Sequence, residues 1–133
     1  MNLMFLRGRN NRMTEEEFRA AEKSLRASFP KAYKRLLHKK NPAEIGEWIF
    51  FAIREQSRLQ KTWDDVIRQN SVCREESMPD DLIVIADNGT GDKLCLKKTD
   101  SVMEETVYLW DHETADVELY AASIGEFIEN EKE

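Results

Sequence analysis

The sequence predicts an α+β fold: an antiparallel sheet of about 4-5 strands, with N-terminal helices and a C-terminal helix packed on it. Three observations lead there. Apolar residues recur at helical spacing twice near the start, at Phe18, Ala21 and Leu25 and then at Tyr33, Leu36 and Leu37. From Leu82 to Ala121 the pattern changes to short β-rich runs separated by turn residues. Those connections are too short for crossovers, so the strands they join run antiparallel.

The elements follow in order. Residues 1–13 show no periodicity and read as a disordered or arm-like terminus, ahead of a single domain over 14–130. Thr14 can cap the first helix, with Glu17 three residues on to close a capping box. Pro30 ends that helix near Ser28 and can serve as the first residue of the second. Lys39-Lys40 suit the second helix's C-terminal dipole, and Asn41-Pro42 stops it. Glu47 to Ile53, rich in aromatic and β-branched residues, reads as a buried strand. Leu59, Trp63, Val66 and Ile67 return to helical spacing, which predicts a third helix from about Ser57 to Gln69.

Leu82 to Ala86 is an unbroken apolar run, the pattern of a strand buried on both faces. Asn88, Gly89, Gly91 and Asp92 form a structural turn, because Asn-Gly tolerates positive φ. Lys93 to Lys97 resumes as a strand with Leu94 and Leu96 on one face. Asp100 to Glu105 is an acidic loop, Thr106 to Trp110 a strand, Asp111 to Thr114 a turn, and Val117 to Ala121 a further strand. Ser123 caps the last helix with Glu126 as box partner, and Ile124, Phe127 and Ile128 make its buried stripe.

A chain of 133 residues suggests one domain with a sizeable core. Its two cysteines, Cys73 and Cys95, imply no disulfide framework and fit a reducing, cytoplasmic setting. No apolar run approaches the roughly 20 residues that span a bilayer, so no membrane partner is expected. The net charge of -6 is unevenly spread. Residues 1–40 hold 11 Lys/Arg against 4 Asp/Glu, a net of +7, and residues 41–133 hold 9 against 22, a net of -13.

No catalytic constellation is expected. Asp87, Asn88 and Asp92 bracket two glycines, but Lys93 and Leu94 fall where a calcium loop needs ligands, so no metal or cofactor is assigned. The same glycines precede a strand rather than a helix, which excludes a phosphate-binding loop. Cys95 lies mid-strand and reads as packing, although His112 could approach it across the sheet. Trp63 reads as core, and Trp110, at a strand end, fits either core or an interface anchor.

Five stretches together resemble the SUKH superfamily, known from fungal cell-wall synthesis regulators and bacterial immunity proteins. They are Phe29 to Leu37, Met78 to Ala86, Asn88 to Leu96, Val107 to Glu113 and Ala121 to Ile128. One departure is Asn41-Pro42, where members of the family carry Asn-Gly. The resemblance implies a non-enzymatic immunity protein that neutralises a cognate protein toxin by contact. A regulatory scaffold is the alternative it also implies. Direct nucleic-acid binding is disfavoured by the net negative charge. Loops on a rigid sheet are the usual place for recognition. The expected partner surface is therefore Asp100, Glu104, Glu105, Asp111, His112, Glu113 and Asp116, with Trp110 as anchor.

Overall fold

The structure, a computed structural model, describes residues 15–131. The expected terminal arm and the Thr14 cap lie outside that range. Helix α1 (Glu15–Leu25) opens with three glutamates, which favour the positive end of its dipole, and buries Phe18, Ala21 and Leu25. It ends at Leu25, earlier than the proline alone predicts, because Arg26 turns left-handed at φ 60°. Glu22 then accepts the Phe29 N–H at 2.8 Å. Helix α2 (Lys31–Lys39) starts after Pro30, which takes the capping position. Its Tyr33 is buried and donates its hydroxyl to the Phe51 carbonyl at 3.2 Å. Burial pushes the Tyr33 phenol well above its usual range, and Asp65 adds to the shift.

The sheet has six strands in sequential order, all antiparallel: β1 (Ala43–Ile45), β2 (Trp48–Phe50), β3 (Leu82–Asp87), β4 (Lys93–Thr99), β5 (Val102–Trp110) and β6 (Val117–Ala121). That exceeds the expected 4-5 strands, and β1 supplies the difference. It is a three-residue strand that doubles back at Gly46, φ +62°, to pair with β2. So short a run carries too few residues to show alternation.

The expected third helix is broken. A 3-10 turn at Gln56–Arg58 leads into α3 (Leu59–Thr62), and α4 (Val66–Gln69) starts afresh. Asp65 makes the break, because its carboxylate caps α4 by accepting the Arg68 N–H at 3.0 Å. Leu59 and Trp63, expected in the core, are consequently on the surface, Trp63 at 55 % exposure.

Between these pieces, side-chain amides stand in for strand partners. Asn41 donates to the Ile53 carbonyl at 2.7 Å and accepts the Ile53 N–H at 2.9 Å. Asn70 does the same to Val84, with distances of 2.8 Å and 2.8 Å. Buried backbone groups must be paired, and these two amides satisfy the groups that no strand reaches. Val66 N–H donates to the Ala52 carbonyl at 2.8 Å and ties α4 to the end of β2.

Helix α5 (Ile124–Glu131) is capped as expected. Ser123 Oγ accepts the Glu126 N–H at 3.0 Å, and Glu126 reaches back to the Ala122 N–H at 2.7 Å. Its Phe127 contacts Phe50 of β2 and Tyr120 of β6, with ring centroids 5.5 Å and 5.9 Å away. Trp48 and Tyr120 also meet, at 5.9 Å, so the sheet curls until its flanks approach around this helix. No helix among the described residues is long and apolar enough to cross a membrane.

Candidate functional site

Two turns lie side by side at one end of the sheet. Lys93 pairs with both Asp87 and Trp110, and Trp110 pairs with Val117. This register brings the β3–β4 turn (residues 88–92) against the β5–β6 turn (residues 111–116). The first turn is folded by Asn88, whose Oδ1 accepts from the Thr90 N–H at 3.1 Å and the Thr90 hydroxyl at 2.7 Å. Gly89 and Gly91 take φ of +87° and +111°, conformations that side chains resist. The second turn is folded by Asp111, whose Oδ1 accepts from the Glu113 N–H at 2.7 Å and the Thr114 N–H at 3.3 Å.

Asp92 joins the two turns. Its Oδ1 accepts the His112 backbone N–H at 3.0 Å and lies 2.6 Å from His112 Nδ1. The His112 ring in turn lies over Gly91, where a Cβ would sit 2.8 Å from the ring carbon. The hydrogen bond to Asp92 raises the His112 pKa, and the charges of Asp92, Glu113 and Asp111 act in the same direction. Asp92 is lowered, first by the side-chain bond to His112 and then by the His112 backbone N–H. The lowered carboxylate and raised imidazole favour a charged pair, which fixes the ring's orientation.

Asp92, Asp111 and His112 are the described residues whose ligand atoms come close enough to share a metal ion, within 4.8 Å of one another. Their bonds inside the turns account for that arrangement: Asp92 is bound to His112, and Asp111 to Glu113 and Thr114. Glu113 and Asp116 extend the negative charge on exposed positions of the same turn.

The expected partner residues are therefore only partly brought together. Asp111, His112, Glu113 and Asp116 share one turn, and Asp92, expected as a turn residue alone, joins them. Asp100, Glu104 and Glu105 belong to the opposite end, around the β4–β5 turn, where Thr99 donates to Glu104 at 2.5 Å. Glu104 and Glu105 lie within the first half of β5, and the strand carries Glu105 roughly 20 Å from Asp111 at about 3.3 Å per residue, with Asp100 farther still. That far end also meets the α1–α2 connection, since Ser28 bonds Ser101 at 2.9 Å and Met103 at 3.0 Å. Trp110 is 3 % exposed and lies in the core beneath the turns, with its indole Nε1 buried and unpartnered among the described residues. It supports the site from below and presents no exposed ring to a partner.

Cys95 does not approach His112. It pairs with Tyr108 in the middle of the sheet and is fully buried. Burial pushes its thiol up to about 12, despite opposing effects from Arg74 and Lys93, so it is a poor nucleophile at neutral pH. The link that sequence reasoning missed is Asp92 to His112. They lie 20 residues apart, and only the strand register places them together.

A family model described as SMI1-KNR4 cell-wall matches residues 6–133, which takes in residues 6–13 of the segment set apart as an arm. Among curated proteins no match is found. With the α+β fold in place and nearly the whole chain covered, this protein belongs to the SUKH_5 group of the SMI1-KNR4 family.

Proposed function

We propose that this protein is an immunity protein that binds and neutralises a cognate protein toxin by contact, without chemistry of its own. The observation that carries this reading is the acidic double turn. Two loops are held rigid by the Asp92–His112 link and by the Asp111 turn, and they carry Glu113 and Asp116 outward. A preorganised loop surface binds without a large ordering cost. Its negative charge suits a basic partner, such as a nuclease toxin whose cleft holds a polyanion, and would steer the two together. Asp111 itself folds the turn, so the recognition charges are Glu113 and Asp116.

The test is association kinetics against the toxin encoded beside this gene, at two salt concentrations. Glu113→Lys and Asp116→Lys should slow association most at low salt and leave folding intact. Unchanged association together with full protection of cells would remove this end of the sheet as the interface. The family description favours a second reading, a regulatory scaffold in cell-wall control. A neighbouring gene that encodes no toxin would favour it.

A further inference from the structure

We propose that the groove bounded by α2, β1 and α5 is a docking site for an acidic amphipathic helix of a partner protein. The groove has a volume of about 470 Å³. Leu36 of α2, Ile45 of β1 and Ile128 of α5 line it, and all three are only partly buried by the core they pack on. Along α2 the lining runs from Ala32 to Lys39, roughly 10 Å at about 1.5 Å per residue, or two helical turns. Apolar walls of that length take the apolar stripe of a helix laid into them.

Gly125 is a second sign of a ligand. It is exposed within α5, where glycine weakens the helix. Its backbone is not left-handed, and among the described residues a Cβ there would meet only Ser123 Oγ, at 3.6 Å, an ordinary contact. The fold therefore has no need of a glycine at 125. A glycine does let another backbone come close, and this one lies in the groove wall.

Charge selects the occupant. Arg35, Lys39 and Lys40 border the groove, and no carboxylate among the described residues pairs with them. Glu44 and Glu129 border it as well, and Glu129 already has a partner within the chain. Three unpaired cations against one unpaired acid suit a helix with carboxylates beside its apolar stripe. A nucleic acid fits less well, because no aromatic ring lines the groove for a base to stack on. Residues 1–14 of the chain itself also fit poorly, since they hold Arg7, Arg9 and Arg12 and no acid.

The site differs in charge from the acidic turns and does not rest on the toxin reading. The probe is a fluorescein-labelled peptide of about 16 residues, with leucines at i, i+3, i+4 and i+7 and glutamates beside them. A second peptide carries glutamine in place of every glutamate. Anisotropy with the full chain should show the acidic peptide binding at least about tenfold tighter, with the difference shrinking as salt rises. Gly125→Leu fills the groove from its wall and should weaken that binding about tenfold or more, while the melting temperature holds or rises. Arg35→Glu with Lys39→Glu should weaken it similarly, and Arg35→Lys with Lys39→Arg should restore it. Equal affinity for the two peptides, or no binding of the acidic one, overturns the proposal. So does binding that Gly125→Leu leaves intact. A labelled thymidine oligonucleotide that binds tighter than the peptide, and is lost in Gly125→Leu, would replace the protein partner with a nucleic acid. Self-association in sedimentation that Gly125→Leu abolishes would replace it with a second copy.

Discussion

His112 and Asp92 are bound twice, once through the imidazole and once through the histidine's own backbone N–H, both to the same carboxylate oxygen. The pair makes stability depend on pH in a defined direction. His112 has a raised pKa in the fold, so its contribution is complete below about 6.5, its usual value, and is lost as pH rises through the folded value. Asp92 is lowered, so its contribution is present above about 3.9 and is lost as pH falls through its folded value. The urea midpoint should decline as pH rises from about 6 to 8. In His112→Gln that decline should be shallower. Parallel pH profiles for the two proteins would show that the pair contributes nothing.

The two turn glycines should respond differently to substitution. A Cβ at Gly91 meets the His112 ring at 2.8 Å, and the ring is held by Asp92 and cannot easily move away. At Gly89 nothing lies within 4 Å, so only the backbone resists. Gly89→Ala should cost about 1 kcal/mol and Gly91→Val about 1–3 kcal/mol. Thermal melts of both variants decide it, and equal losses would mean that the ring contact carries no weight.

Asn41 is 2 % exposed and serves both Ile53 backbone groups, and it also donates to Glu55 at 2.7 Å. Asn41→Ala leaves those buried groups unpaired and should cost about 2–4 kcal/mol. Asn41→Asp should be worse, because it places a carboxylate against the buried Glu55. Chemical denaturation reads both, and a loss below about 0.5 kcal/mol for the alanine variant would refute the role.

Trp110 tests whether the turn end rests on a packed base. Trp110→Ala should cost about 3–5 kcal/mol, the range for deleting a buried aromatic. Trp110→Phe should cost much less, because it keeps most of the apolar volume and removes an indole N–H that has no partner among the described residues. If Trp110→Ala left stability intact and only sped dissociation of a partner, the ring would be an interface anchor after all.

Local chemistry was legible in the sequence. Ser123 and Glu126 announced the start of α5, Asn88-Gly89 announced the β3–β4 turn, and the apolar run from Leu82 marked the central strand, each within a few residues. The misreadings have two causes. Leu59 and Trp63 share the spacing of a buried helical face, but Asp65 caps a new helix and leaves both outside. Capping competes with periodicity, and spacing alone does not show which prevails. Trp110 and the scattered acidic loops depended on long-range register. Neighbours along the chain suggested one acidic surface, whereas strand β5 carries Glu104 and Glu105 away from Glu113.

The segment between β2 and α4 leaves and returns through a narrow neck. Asn41 holds Ile53 on one side, Val66 holds Ala52 on the other, and Thr62 Oγ1 accepts the Glu55 N–H at 2.9 Å just beyond. The sheet is thereby insulated from whatever lies past the neck. Lengthening an already closed loop adds little entropy cost, about 0.6 kcal/mol for each doubling. Arg58 belongs to the neck, since it pairs with the buried Glu55 at 2.9 Å, but residues 59–61 are exposed and form a tip whose length and sequence can be rewritten without shifting a strand. This protein thus carries, far along the chain from its acidic turns, a second place where new surface can be built on an unchanged frame.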